Sequence, residues 1–263
     1  MIIDTHTHIY PEKIAKKATE AIGTFYDIPM QNIGTVDVLL RELDDAGVSK
    51  AFILSTATTP AQVRHVNEYV ISVKDSYPEK FVAFGTVHPD MDEPEQEMDY
   101  IKGKGVLGLK FHNDFLKIAV DDKRMDRIYD YASYLRIPII FHAGDVRYGF
   151  TNPLKFLNII KRFPELIGVA AHFGGYSEWT DAYEYLCGTN FWFDTSSSFF
   201  KIDRDLAKKI IFKHGVDKIF FASDFPMWRP SDELKYFFEL GFPDDINEKI
   251  LYKNAENFIS DLN

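Results

Sequence analysis

One cysteine, Cys187, stands in 263 residues, so no internal disulfide can form and the composition fits a reducing compartment. Basic residues are in the minority: 30 Lys and Arg against 40 Asp and Glu give a net charge of −10. That balance argues against non-specific binding to nucleic acid or an anionic membrane, though it leaves room for a local basic pocket. No apolar run approaches the roughly 20 residues of a membrane span. No signal-peptide pattern is evident either, because the chain opens straight into a strand holding Asp4, His6 and His8. A soluble cytoplasmic protein is the expectation. Linkers, low-complexity tracts and charge blocks are missing too, which predicts one domain over 1–263. What is abundant is core: 46% hydrophobic and 15% aromatic residues exclude disorder.

Short β-branched or aromatic runs recur at Ile2–Ile9, Ala51–Ser55, Phe81–Val87, Val106–Phe111, Pro138–His142, Ile167–His172, Phe191–Asp194 and Ile219–Ala222. Segments of helical period separate them. Val36, Leu39, Leu40 and Leu43 are followed by Gly47 as a stop; Asn152-Pro153 reads as an N-cap and first turn before Leu154, Leu157 and Ile160. Met125, Ile128, Ala132 and Leu135 form another stripe, as do Leu234, Phe237 and Leu240 or Phe238. Such alternation fits a closed (β/α)8 barrel or an open doubly wound sheet. An open sheet calls for a Gly-rich nucleotide turn after the first strand, where this chain has His-Thr-His-Ile-Tyr-Pro. Polar residues close most of the runs, as they do where all strand ends face one mouth. The reading is an α/β chain folded as a (β/α)8 TIM barrel. Tyr10–Gly34, with Phe25, Tyr26 and Met30, falls outside the repeat and predicts a lid or substrate wall. Pro243–Leu262 predicts a last helix closing the bottom or outer ring.

Six of the eight histidines stand where apolar runs stop: His6, His8, His88, His112, His142 and His172. Residues i and i+2 of a strand share a face, about 7 Å apart at Cβ, so His6 and His8 can grip one ion together. Alone, an H-x-H pair is also compatible with two core imidazoles bonded to backbone. Further along, Phe141-His142-Ala143-Gly144 and Ala171-His172-Phe173-Gly174-Gly175 end strands in histidine, and Ser223-Asp224-Phe225-Pro226 ends the eighth in a carboxylate.

This ordered set, with Gly108-Leu-Lys-Phe-His112 and Asn254-Ala-x-x-Phe258, resembles the amidohydrolase superfamily, in the branch that includes aminocarboxymuconate-semialdehyde decarboxylase. The resemblance spans essentially the whole chain. It implies a barrel with one divalent metal ion in the mouth, usually zinc, and chemistry divided among hydrolysis, non-oxidative decarboxylation and hydration. By the same resemblance His6, His8, His142 and Asp224 are metal ligands. Asp224 and His172 are the catalytic proton-handling pair, and similar barrels are commonly homodimers. Lys110 lies near a position where some branches bridge two metals; a charge steering an anionic substrate is the favoured reading. His112 is a substrate contact or a polar loop residue.

Arg147 and Arg229, in strand-end loops, suit a substrate carboxylate, which a guanidinium grips with two hydrogen bonds. Asp4 is expected as a buried acceptor, Trp179 and Tyr183 as helix packing, His88 as structural, and His65 and His214 as surface groups. The expected reaction is metal-assisted hydrolysis of a small, carboxylate-bearing ester, lactone or amide. The alternative is decarboxylation of a small unsaturated or aromatic acid. A barrel that binds a ligand without turnover is the third reading.

Overall fold

The computed structural model describes residues 1–262. Eight strands lie in sequential, all-parallel order: β1 Ile3–His8, β2 Lys50–Leu54, β3 Phe81–Gly85, β4 Gly108–Phe111, β5 Ile139–Phe141, β6 Gly168–Ala170, β7 Trp192–Asp194 and β8 Ile219–Phe220. Each coincides with an apolar run legible in the sequence. Between β8 and β1 the ring is closed by backbone bonds from Thr5 N–H to Phe221 O (3.1 Å) and from His8 N–H to Phe225 O (2.7 Å). The chain is therefore a (β/α)8 barrel.

Near-continuous apolar strands are needed because both faces of a parallel barrel are covered. Ile3, Phe52, Phe84, Ile140, Val169 and Phe220 fill the interior, and Ala255 and Phe258 of the terminal helix Asn254–Leu262 pack onto them from below. The last helix thus closes the bottom of the barrel, where the Phe258 ring meets Phe220 and Trp192, both at 5.2 Å.

Two helices follow the first strand. The earlier, α1 (Glu12–Tyr26), is most of the segment expected as a lid, and it buries only Ala15 and Thr19 along its 15 residues. Its end carries Phe25 and Tyr26 over the barrel mouth. The next, α2 (Val36–Asp45), is capped by the Thr35 side chain, which accepts from Val38 N–H, and it buries Leu39 and Leu43. Gly47 follows in a left-handed conformation (φ 68°), as its place after the helix requires.

Helix Pro153–Arg162 has the expected Asn152 cap, but its buried face is Pro153, Phe156 and Ile159; Leu154 points outward at 45% exposure. The bulkier Phe156 sets the rotation. Leu234, Phe237 and Leu240 are buried and Phe238 is exposed. His65 is exposed, but His214 corrects the expectation of a surface group. Its ring is buried and stacks on Phe193 at 3.8 Å, with Nε2–H donating to Phe191 O at 2.9 Å. Helical spacing placed it on a helix without showing that its face turns inward. No helix of the described residues is long and apolar enough to cross a membrane.

Candidate active site

The mouth pocket is lined by the polar groups His6, His8, Lys110, His142, His172 and Asp224 and, among others, by Ile22, Tyr26, Met30, Phe115 and Met227. Parallel strands bring these groups together, because all eight C-terminal ends open on the same face. Their backbones are bent to do so: Asp224 (φ 65°), His172 (φ 60°) and Ser197 (φ 44°) all occupy the left-handed region. Such conformations are costly for residues with a Cβ and persist where surrounding contacts hold them.

Proton positions follow from the partners of each ring. His6 Nδ1–H donates to Asp194 Oδ2 at 2.8 Å, and His8 Nδ1–H donates to Leu54 O at 3.1 Å. Each Nε2 therefore bears a lone pair. The two Nε2 atoms lie 3.2 Å apart, at 3.5 and 3.3 Å from Asp224 Oδ1. Three electron-rich atoms thus face one another with no proton among them, an arrangement that calls for a cation. Ligands about 2.0–2.1 Å from a tetrahedral ion stand about 3.3–3.4 Å from one another, so the cradle fits a divalent ion. Lys110 Nζ, 3.0 Å from His6 Nε2, donates into it.

Burial, with the charge of Lys110, lowers the His6 pKa to about 3 and keeps its imidazole neutral, as ligation requires. Burial also lowers Lys110, to about 8, against the pull of Asp224 and Asp194. Burial opposes ionisation of the Asp224 carboxyl, and charge on the neighbouring histidines, where they take up a proton, is what lowers its pKa. Ser197 Oγ–H bonds its Oδ2, and Trp228 Nε1–H bonds that hydroxyl at 2.9 Å.

His172 Nδ1–H donates to Ser196 O at 3.0 Å, and its Nε2 accepts from His142 Nδ1–H at 2.9 Å. The donor atoms that lie within 4.8 Å of one another at the cradle are those of His6, His8 and Asp224, while the His142 ring faces His172. The His142 Nε2 is buried without a partner, 3.6 Å from Asp114 Oδ2. His112, Asp114 and His142 make a second group of donors within 4.8 Å of one another.

Asp4 is the buried acceptor expected: it takes His6 N–H (3.1 Å), Ser223 N–H (3.0 Å) and Ser223 Oγ–H (2.5 Å), tying β1 to the Asp224 turn. Trp179 is buried and donates Nε1–H to His172 O. His88 is buried and accepts from Asp90 N–H.

The structure does not bring either arginine into the pocket. Arg147 chelates Asp145, with Nη2 at 2.6 Å and Nε at 2.9 Å, and donates Nη1–H to Phe25 O at 2.7 Å. Arg229 pairs with Glu42 at 2.9 Å. Each guanidinium found a nearer carboxylate, a pairing that loop position alone does not reveal.

Sequence reasoning missed Asp194 as an active-site group. It is buried and accepts from His6, from His172 N–H (2.9 Å) and from Ser196. Burial is outweighed by the two histidines and Ser196, which hold its carboxyl below the usual range. Its place as the polar end of the β7 run was the available signal. Asp114 was missed as well, and its position beyond the strand end gave no hint.

No curated protein matches the chain. Among solved structures, it is similar to 5-carboxyvanillate decarboxylase from Sphingomonas paucimobilis (15% identical, 98% of each chain covered, TM-score 0.78). It is also similar to a dihydroxybenzoic acid decarboxylase from a Polaromonas species with bound manganese and 2-nitroresorcinol (15% identical, 98% and 96% covered, TM-score 0.77). A third is a probable 2-pyrone-4,6-dicarboxylic acid hydrolase from Acinetobacter baumannii (17% identical, 98% and 99% covered, TM-score 0.73). These likenesses are likenesses of fold. The Amidohydrolase family model matches residues 3–259, nearly the full barrel with its histidine and aspartate strand ends, and the chain belongs to that family.

Proposed function

We propose that the protein is a metal-dependent, non-oxidative decarboxylase of a small, flat aromatic or unsaturated carboxylic acid. The observation that carries this reading is the pocket's mixed lining. A proton-free cradle of His6 Nε2, His8 Nε2 and Asp224 Oδ1 shares the pocket with Tyr26, Phe115, Ile22, Met30 and Met227. Aromatic and apolar lining residues suit a planar substrate and favour a step in which a carboxylate's charge is lost as neutral CO2 leaves. Two of the similar solved structures are decarboxylases of hydroxylated benzoates, one of them with manganese, which supports the same reaction class.

His6, His8 and Asp224 would hold one divalent ion. When bound, it supplies a Lewis acid for the substrate's oxygen atoms. The rest of the work falls to side chains. His172, its Nδ1–H committed to Ser196 O and its Nε2 paired with His142 Nδ1–H, is the proposed proton carrier together with His142. As the carbon–carboxyl bond breaks, its electron pair stays on the ring or alkene carbon and takes a proton relayed through His172, while CO2 departs. Asp224 stays ionised and fixes the ion. Lys110 is the one lysine or arginine lining the pocket among the described residues, and it faces the substrate's negative charge.

Hydrolysis, the reaction first expected from the sequence, is the second reading. It is supported by the likeness to the probable 2-pyrone-4,6-dicarboxylic acid hydrolase. Metal-loaded protein incubated with hydroxybenzoates, unsaturated acids and lactones separates the two. CO2 release matching substrate loss, abolished by chelation and restored by metal, is expected. A new carboxylic acid formed without CO2 would replace decarboxylation with hydrolysis.

A further inference from the structure

His112, Asp114 and His142 form a donor group beside the cradle, but their geometry is unlike that of an ion site. The His112 and His142 rings lie parallel, 7° apart in plane and 4.0 Å between centroids, so their in-plane lone pairs cannot converge on one ion. What the group does fix is the hydrogen-bond polarity of Tyr26. His112 caps the short helix Asn113–Leu116, its Nδ1 facing Phe115 N–H at 3.4 Å as second acceptor beside His112 O at 3.0 Å, so Nδ1 presents a lone pair there and not a proton. The proton of this neutral imidazole is therefore on Nε2, which lies 2.7 Å from the Tyr26 hydroxyl oxygen. That oxygen accepts, and the phenolic O–H must point elsewhere.

No carbonyl, carboxylate or hydroxyl among the described residues accepts the Tyr26 O–H, and Tyr26 lines the mouth pocket. The phenol is also held in place. Arg147, clamped on Asp145, bonds Phe25 O and lies 5.1 Å from the centroid of the Tyr26 ring, fastening the end of α1. Burial, aided by the charge of Asp224, keeps the phenol's pKa well above its usual 10, so it remains a donor.

We infer that Tyr26, polarised by His112, donates its hydroxyl proton in a hydrogen bond to a carboxylate oxygen of the substrate. The role foreseen for Arg147 or Arg229 thus passes to a neutral donor, with Arg147 and His112 as positioning residues. The inference takes its substrate class, a carboxylate, from the decarboxylase reading; the wiring itself is independent of it.

The test is benzoate binding by calorimetry to the metal-loaded full-length protein, with metal content measured for every variant. Tyr26→Phe deletes only the hydroxyl and is expected to weaken benzoate about 10- to 100-fold at unchanged metal content, the loss of a hydrogen bond to a charged group. His112→Asn keeps an acceptor for Phe115 N–H but disrupts the donor to Tyr26. It is expected to weaken benzoate as well, and the double variant is expected to bind no worse than Tyr26→Phe alone. Benzoate binding by Tyr26→Phe within about twofold of wild type, additive losses, or no binding by the wild-type protein would each overturn the inference. If the Tyr26 effect holds while no acid in the panel releases CO2, the reaction assignment fails and the carboxylate contact stands.

Discussion

His6 and Asp194 lie 188 residues apart in sequence and 2.8 Å apart in space, and their hydrogen bond decides which nitrogen of His6 faces the mouth. Carboxylate partners of this kind orient a ligating imidazole and raise its basicity. Asp194→Asn tests the relationship. The Asp194 Oδ1 position already accepts three donors, so the amide NH2 falls opposite His6 Nδ1 and drives the His6 proton to Nε2. Metal affinity is expected to fall about 10- to 100-fold, read by metal titration, with the fold intact by circular dichroism. Unchanged affinity would mean that this bond does not set the tautomer.

The two strand-end arginines are expected to separate sharply. Arg147→Ala frees the Phe25 carbonyl and loosens the end of α1, so KM is expected to rise about tenfold with metal content unchanged. Arg229→Ala removes the half-exposed partner of the largely buried Glu42, outside the pocket, and is expected to leave kcat/KM within about twofold. Equal effects in steady-state kinetics would contradict the assignment.

His214 makes stability depend on pH. Burial of the ring lowers its pKa from 6.5 to about 4, against backbone bonds to Phe191 and Leu186 that favour the charged form. Below pH 6.5 the unfolded chain takes up a proton that the folded chain refuses. The stabilisation is therefore complete above pH 6.5, declines as pH falls toward 4 and levels off below that, a span of about 3 kcal/mol. His214→Gln is expected to flatten melting temperature against pH over that window relative to wild type. Parallel curves would show that His214 is not the group responsible.

The bottom of the barrel is expected to act on stability alone. Phe258→Ala leaves a void beneath Phe220 and Trp192 and is expected to cost about 3–5 kcal/mol in denaturant unfolding. Metal affinity should not change, since the cradle lies at the opposite end of the strands.

Much of the fold was legible because a parallel barrel writes its strands as apolar runs. All eight runs hold a strand, although the hydrogen-bonded ladder stops at Phe141 and Phe220, short of His142 and Asp224. His6, His8 and Asp224 were legible because polar groups at the end of such runs have one mouth to face. His142 also reaches the pocket, but its bond to His172 lay beyond any spacing rule. The same holds for His214, whose helical period did not fix which side of the helix meets Phe193.

Strand positions, the two-residue spacing of His6 and His8, and the carboxylate after β8 were set by local pattern, because strand periodicity and burial act over a few residues. The tertiary structure decided which ring nitrogens hold protons, which carboxylates claimed Arg147 and Arg229, and where the Tyr26 hydroxyl points. Those outcomes depend on hydrogen-bond partners brought within 3 Å by packing from distant parts of the chain, and no local pattern encodes them.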